Sequence, residues 1–189
     1  MYKIRLNTIL LALCLSAVLL SGCKQKEELD WRTANEVWLE QNAKRYESNP
    51  NFYVTSTGLQ YLVINEGLPT ERHPNKTGYV TIHYVGILID GHVFDATNKT
   101  VVDLNSANLV EEVIKMQLEN TESSQLQVSN LITGMQEGLQ KMRAPGQAIF
   151  FIPQGLAYGK DGMSTPGYTA YIPPYSTLIF KVELLQCYL

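Results

Sequence analysis

The stretch IHYVGILIDGHVFDAT, residues 82–97, decides the fold. With Tyr79–Thr81 before it, it alternates. Val80, Ile82, Tyr84, Gly86 and Leu88 fall on one face of an extended chain, and Thr81, His83, Val85 and Ile87 on the other. A period of two marks a β-strand. Asp90-Gly91 then supplies a pair that tight hairpins favour, since Gly and Asp tolerate left-handed backbone angles. HVFDA returns as a second, antiparallel strand. Asp95 follows an aromatic, so this hairpin offers two chemistries: an acid that moves protons, or a ring, Phe94, that walls a binding site.

Moving outward, FYVT and LQYLVI flank the turn Ser56–Gly58, and IFFIP (149–153) and STLIFKVELL (176–185) add two further strands. Between them ITGMQEGLQKM (132–142) sets Ile132, Met135, Leu139 and Met142 at helical spacing, with Gly134 and Gly138 predicting a short, weak helix. Several antiparallel strands with one helix indicate an α+β fold, a sheet folded over a helix. Before the sheet, Leu29–Ser48 has helical periodicity. Asp30 is placed to cap it, and Trp31, Ala34, Trp38 and Ala43 or Tyr46 form a narrow apolar stripe. That stripe either packs on the chain's own domain or forms a helix–helix dimer contact. Asn49-Pro50-Asn51 ends the helix.

Two segments stand outside this frame. Residues 98–125 form an insertion in which Asn108-Leu-Val-Glu111 resembles a capping box, with Leu109, Val110, Val113, Ile114 and Leu118 predicting a helix to about Asn120. Residues 159–171, GKDGMSTPGYTAY, have the composition of an adjustable flap.

The amino terminus carries Lys3 and Arg5 and no acid, then an apolar run from Ile9 to Leu20 that is short for a membrane span. LSGC, residues 20–23, resembles the lipobox of bacterial lipoproteins. That resemblance implies cleavage before Cys23, acylation of its sulfur and anchorage in the bacterial envelope, with the outer membrane as the expected site on its periplasmic or surface face. QKEE (25–28) resembles an export tag of some Bacteroidetes lipoproteins, or is a solvated tether. The resulting organisation is a signal peptide (1–22), a lipidated tether and helix (23–50), and a domain (51–189) bearing the 98–125 insertion.

Removing residues 1–22 leaves 13 basic and 18 acidic side chains and a net charge of −5. With no basic patch, nucleic acid is not an expected partner. Cys14 departs with the signal and Cys23 is acylated, so Cys187 has no partner for an internal disulfide. His73, His83 and His92 lack neighbours at metal-ligand spacing, and no metal or other cofactor is expected. There is no GxSxG, HExxH or phosphate loop. What the sequence offers instead is aromatic and aliphatic residues punctuated by Gly and Pro, suited to binding something apolar without covalent chemistry.

IHYVGILIDGHVFDAT, LITGMQEGLQKMRAPGQAIFFIPQGLAYG and IPPYSTLIFKVELL together resemble the FKBP-type peptidyl-prolyl isomerases, and GLQYLVINEG resembles the entry strand of their macrophage-infectivity-potentiator branch. The resemblance runs from about Gly58 to Leu185. It implies an antiparallel half-barrel sheet around one short helix, with a pocket between them for Xaa-Pro bonds of proline-containing polypeptides. Carried over, the catalytic positions are Tyr84, Phe94, Asp95, Tyr158 and Phe180, and the substrate-binding positions are Leu131, Ile132, Met135 and Ile172. The backbone N–H of Ile132 and the Tyr158 hydroxyl are implied to engage peptide carbonyls. Asp95 is expected at the rim, accepting from the Tyr84 hydroxyl. The chain departs from the family in two ways. Met135 stands where the family carries a Trp floor, and the 98–125 insertion is expected near the pocket. Two functions follow: an isomerase for exported proteins, or a catalytically weak binding or chaperone module of the same fold that docks a partner protein.

Overall fold

The computed structural model describes residues 29–118, 122–164 and 171–188. The signal segment, Cys23 and the centre of the expected flap lie outside them. Helix α1 spans Trp31–Tyr46. Asp30 caps it: its Oδ1 accepts from the Thr33 N–H at 3.2 Å, and its Oδ2 from the Thr33 hydroxyl at 2.7 Å. Both bonds hold the Asp30 carboxyl below its ordinary value.

The strands are β1 (Phe52–Val54), β2 (Gln60–Asn65), β3 (Tyr79–Leu88), β4 (Val93–Ala96), β5 (Ser124–Gln127), β6 (Gly146–Ile152) and β9 (Leu178–Tyr188). They form one sheet in the order β1-β2-β6-β9-β3-β4, with β5 also on β3. Every pairing in it is antiparallel. A second, two-stranded sheet joins β7 (Met163–Ser164) to β8 (Tyr171–Ile172). Strand β3 pairs with β9 along its whole length, and on its other edge with β5 through Tyr79–Ile82 and with β4 through Val85–Ile87.

Helix α3 (Thr133–Leu139) lies against the inner face, where Val80, Ile82, Phe150, Ile152, Phe180 and Val182 meet its Met135 and Leu139. Its glycines serve packing as well as shortening the helix. A Cβ on Gly138 would come within 2.8 Å of the Phe150 ring, and one on Gly134 would collide with Ile152. The helix can therefore press closely on β6.

The outer face of the sheet is also a core. Val85, Ile87, Ile149, Phe151 and Ile179 are fully buried there. Two elements cover them. One is α1, through Trp38, Leu39 and Tyr46; the Trp38 and Phe151 rings lie 5.9 Å apart. Trp38 and Tyr46 of the α1 stripe thus pack, partly buried, on the chain's own domain. The other is helix α2 (Leu109–Lys115), which buries Leu109, Val110 and Val113. This corrects the expected place of the insertion. Its helix backs the sheet, on the side away from the inner face, because its apolar residues match the outward-pointing half of β3, β6 and β9. It ends at Lys115, short of Asn120, where Met116 turns extended. Nor is there a capping box at Asn108, whose side chain makes no cap bond. Asn105 takes that role one turn earlier. Its Oδ1 accepts from the Ala107 N–H, and its own N–H donates to Glu112 Oε2 at 3.1 Å.

Candidate active site

Between α3 and the inner face lies a cavity of about 310 Å³. Tyr84 and Ile82 of β3, Asp95 of β4, Leu126 of β5, Phe180 of β9 and Met135 of α3 line it, with Asn130, Leu131, Ile132 and Tyr158 from the connecting segments. Alternation places Ile82, Tyr84 and Phe180 together. Ile82 and Tyr84 share a face of β3, and Phe180 stands opposite Gly86 on β9.

Gly86 is what lets the aromatic wall close. A Cβ there would meet Phe94 Cζ at 2.6 Å and Phe180 Cε1 at 2.8 Å. With only hydrogen at that point, Phe94 packs edge-on against Phe180, centroids 5.5 Å apart, and Tyr84 tilts against the other side of Phe180 at 6.1 Å. Phe94 is thus held edge-on against Phe180, and the two rings are about equally buried, at 8% and 7% exposure. Ile172, at 1% exposure, is likewise packed in the core beside the cavity.

Asp95 sits at the rim. Its Oδ2 accepts from the Tyr84 hydroxyl at 2.7 Å, and its Oδ1 from Lys99 Nζ at 3.2 Å. Lys99 is largely exposed, so this ion pair contributes little. Burial, then the bond to Asp95, pushes the Tyr84 hydroxyl well above its ordinary value. Burial, with the nearby Asp95 charge second, also raises Tyr158. Both phenols hold their protons at neutral pH. Among the described residues the Tyr158 hydroxyl donates to no protein acceptor, so it is available to a guest. Ile132 is the N-cap of α3, and its N–H belongs to the donors a helix start leaves unpaired. Leu131 beside it faces the same cavity.

Met135 forms the floor, at 3% exposure. A thioether fills that space but gives no flat ring face. Ile82, Leu126 and Asn130 were not assigned to the site from sequence. For Ile82 the signal was there, since it lies two residues before Tyr84 on the same face. Leu126 enters through β5, whose four residues carry no pattern of their own, and Asn130 through the turn that follows it. Among the described residues no three His, Cys, Asp or Glu side chains cluster as metal ligands would, and no helix is long and apolar enough to cross a membrane.

A family model described as FKBP-type peptidyl-prolyl cis-trans isomerase matches residues 70–185. The FKBP-type 22 kDa peptidyl-prolyl cis-trans isomerase of Escherichia coli (strain K12) is 36% identical over 149 residues, 79% of this chain and 57% of the relative. The outer membrane protein MIP of Legionella longbeachae is 36% identical over 140 residues, 74% of this chain and 48% of that protein. The crystal structure of FkpA from Escherichia coli aligns with a TM-score of 0.61 at 28% identity, covering 98% of this chain and 74% of that one. The chain spans about half the length of these curated relatives. With the sheet wrapped on α3, the aromatic cavity between them and a family match over most of the domain, the chain belongs to the FKBP-type peptidyl-prolyl cis-trans isomerase family.

Proposed function

We propose that the chain catalyses cis-trans isomerisation of Xaa-Pro bonds in exported proteins, and that it does so tethered to a bacterial envelope membrane through lipidated Cys23. The observation that carries the reading is the cavity itself. It is walled by Tyr84, Phe180, Leu131 and Ile132, and its Tyr158 hydroxyl, unpaired among the described residues, is held protonated.

Rotation about an Xaa-Pro bond breaks amide resonance, a barrier of roughly 18–20 kcal/mol. The planar amide is more polar than the half-rotated one, so an apolar cup disfavours the ground state relative to the twisted state. Preferential binding of the twisted form is sufficient catalysis. The Ile132 N–H and the Tyr158 hydroxyl orient the peptide by donating to its carbonyls. Phe94 braces Phe180 edge-on, Ile172 supports the site from the core, and Asp95 holds the Tyr84 ring through its hydroxyl. No proton moves, so no acid–base pair is required.

The anchoring part rests on LSGC (20–23) and on a relative named as an outer membrane protein. One observation favours a second reading, a weakly catalytic binding module: the floor is Met135, with no aromatic platform for a proline ring. Two-dimensional NMR exchange on short Xaa-Pro peptides, with the full chain in detergent micelles, separates the two. The isomerase reading expects exchange far above the uncatalysed rate and a loss of tenfold or more in Phe94→Ala and Tyr158→Phe, at the scale of a positioned polar or packing group. Rates at background for the unaltered chain would leave only the binding module.

A further inference from the structure

Helix α1 does more than cover the outer face. Its first two turns hold the segment 173–177, which joins Ile172 to β9. The Trp31 indole N–H donates to Ser176 Oγ at 3.0 Å, and that hydroxyl in turn donates to the Pro173 carbonyl at 2.7 Å. Asn35, at 1% exposure, accepts the Thr177 N–H on Oδ1 at 2.7 Å and donates through Nδ2 to the Trp31 carbonyl at 2.8 Å. The Arg32 guanidinium lies over the Tyr175 ring, 4.8 Å from its centroid.

The held segment is strained where it turns. Tyr175 has φ of 63°, the left-handed region that a non-glycine residue enters only when its surroundings enforce it. In that conformation the Tyr175 N–H donates to the Gly159 carbonyl at 2.8 Å. Gly159 directly follows Tyr158. Short bonds thus run from α1 through Ser176 and Thr177 to Tyr175, then to Gly159 and the backbone carrying the Tyr158 hydroxyl. No water-exposed step interrupts the first of them: Asn35, Ser176 and Thr177 are all buried.

We propose that Trp31 and Asn35 are positioning residues for the active site, fixing the 173–177 segment so that Tyr158 stands where it can donate to a bound peptide. This rests on the isomerase reading above. The helix supplies its own control. Asn42, two turns on, is also buried and also uses its amide, donating through Nδ2 to Gln60 Oε1 at 2.9 Å. Gln60 lies on β2, away from the cavity, so Asn42 anchors the same helix with no link to Tyr158.

The test compares Asn35→Ala, Trp31→Phe and Asn42→Ala in the full chain, at a temperature where circular dichroism shows all three folded. It reads kcat and KM for an Xaa-Pro peptide, and the dissociation constant of that peptide from NMR shifts of cavity residues. Misplaced catalytic groups lose activity steeply, so Asn35→Ala and Trp31→Phe are expected to lose roughly tenfold in kcat/KM, mostly in kcat, with Asn42→Ala within about twofold of the unaltered chain. Trp31→Phe keeps an aromatic ring but loses the indole N–H together with part of the packing, so it serves as the second variant if Asn35→Ala fails to fold. Equal losses at Asn35 and Asn42, or none at Asn35 and Trp31, would overturn the proposal. An unaltered chain at the background rate would overturn the isomerase reading instead. The positioning claim is then judged on the dissociation constants alone, which must weaken in Asn35→Ala and not in Asn42→Ala.

Discussion

Lys181 is the sharpest test of how the insertion is held. It lies on β9 between Phe180 and Val182, points to the outer face, and is 2% exposed. Its ammonium donates to the carbonyls of Val113 at 3.0 Å, Ile114 at 2.8 Å and Met116 at 2.6 Å. These sit at the end of α2, where the last carbonyls have no intrahelical donor. A cation at a helix C-terminus also meets the favourable end of its dipole. Burial pushes the Lys181 amine below its ordinary value, opposed by the Glu183 charge nearby. Lys181→Met keeps the stem and removes the donors. The Val113 carbonyl, bonded in a buried position, would then be stranded at about 1–3 kcal/mol, and the two partly buried ones would lose less because water reaches them. Relief of the buried charge offsets part of this, leaving a net loss of about 2 kcal/mol. In urea unfolding followed by Trp31 and Trp38 fluorescence, that is a fall in midpoint of roughly 1 M for a domain of this size, at a slope of about 2 kcal/mol/M. Because the side chain faces away from the cavity, kcat/KM should stay within about threefold of the unaltered chain, well short of the loss a displaced catalytic group produces. A midpoint unchanged or raised would refute the reasoning, since desolvation of the ammonium would then outweigh three carbonyl bonds.

The Asp95→Asn variant keeps an acceptor for the Tyr84 hydroxyl and loses only the exposed Lys99 pair, so its exchange rate should stay within about threefold of the unaltered chain; a loss as deep as that of Phe94→Ala would show that the charge does more than orient. A Gly86→Ala change puts a methyl 2.6 Å from Phe94 Cζ, and it should cost about 1–3 kcal/mol in thermal unfolding and reduce turnover, because the rings must part; an unaffected rate would mean the aromatic wall is not the catalytic surface. Tyr84 and Tyr158 both have raised values and stay protonated below the ordinary tyrosine value, so kcat/KM should be flat from about pH 6 to 9. The same shifts stabilise the fold fully below about pH 10, and that contribution is lost only as pH rises above it; a bell-shaped rate profile near neutrality would contradict catalysis without proton transfer.

The sheet was legible because its strands are marked by alternation over long runs. YVTIHYVGIL shows its two faces directly, and Asp90-Gly91 its turn. Helix α3 was legible from Met135 and Leu139. What escaped were residues whose role depends on a distant partner. Asn35 and Asn42 are polar, so the α1 stripe read from Trp31, Ala34 and Trp38 missed that the buried face includes two amides paired across the fold to Thr177 and Gln60. Lys181 reads as a solvated strand residue until α2 is placed over it. Within the site, Tyr84 beside Asp95 follows from HYVG and FDAT, whereas the contact of Phe94 with Phe180 follows only from the register that sets Gly86 opposite Phe180.

That register also explains why the domain has two cores. Strands β3, β6 and β9 alternate large apolar residues on both faces, and Phe150 and Phe151 are neighbours buried on opposite sides. A sheet with Val85, Ile87, Ile149, Phe151 and Ile179 on its outer face could not leave that face to water without a large hydrophobic cost. Helices α1 and α2 meet that requirement from well-separated parts of the sequence, and an Arg45–Glu111 pair at 3.9 Å links them at the surface. The insertion's helix is therefore part of the domain's stability. Because Phe180 and Lys181 are adjacent on β9, the wall of the cavity and the lock on the insertion share one backbone.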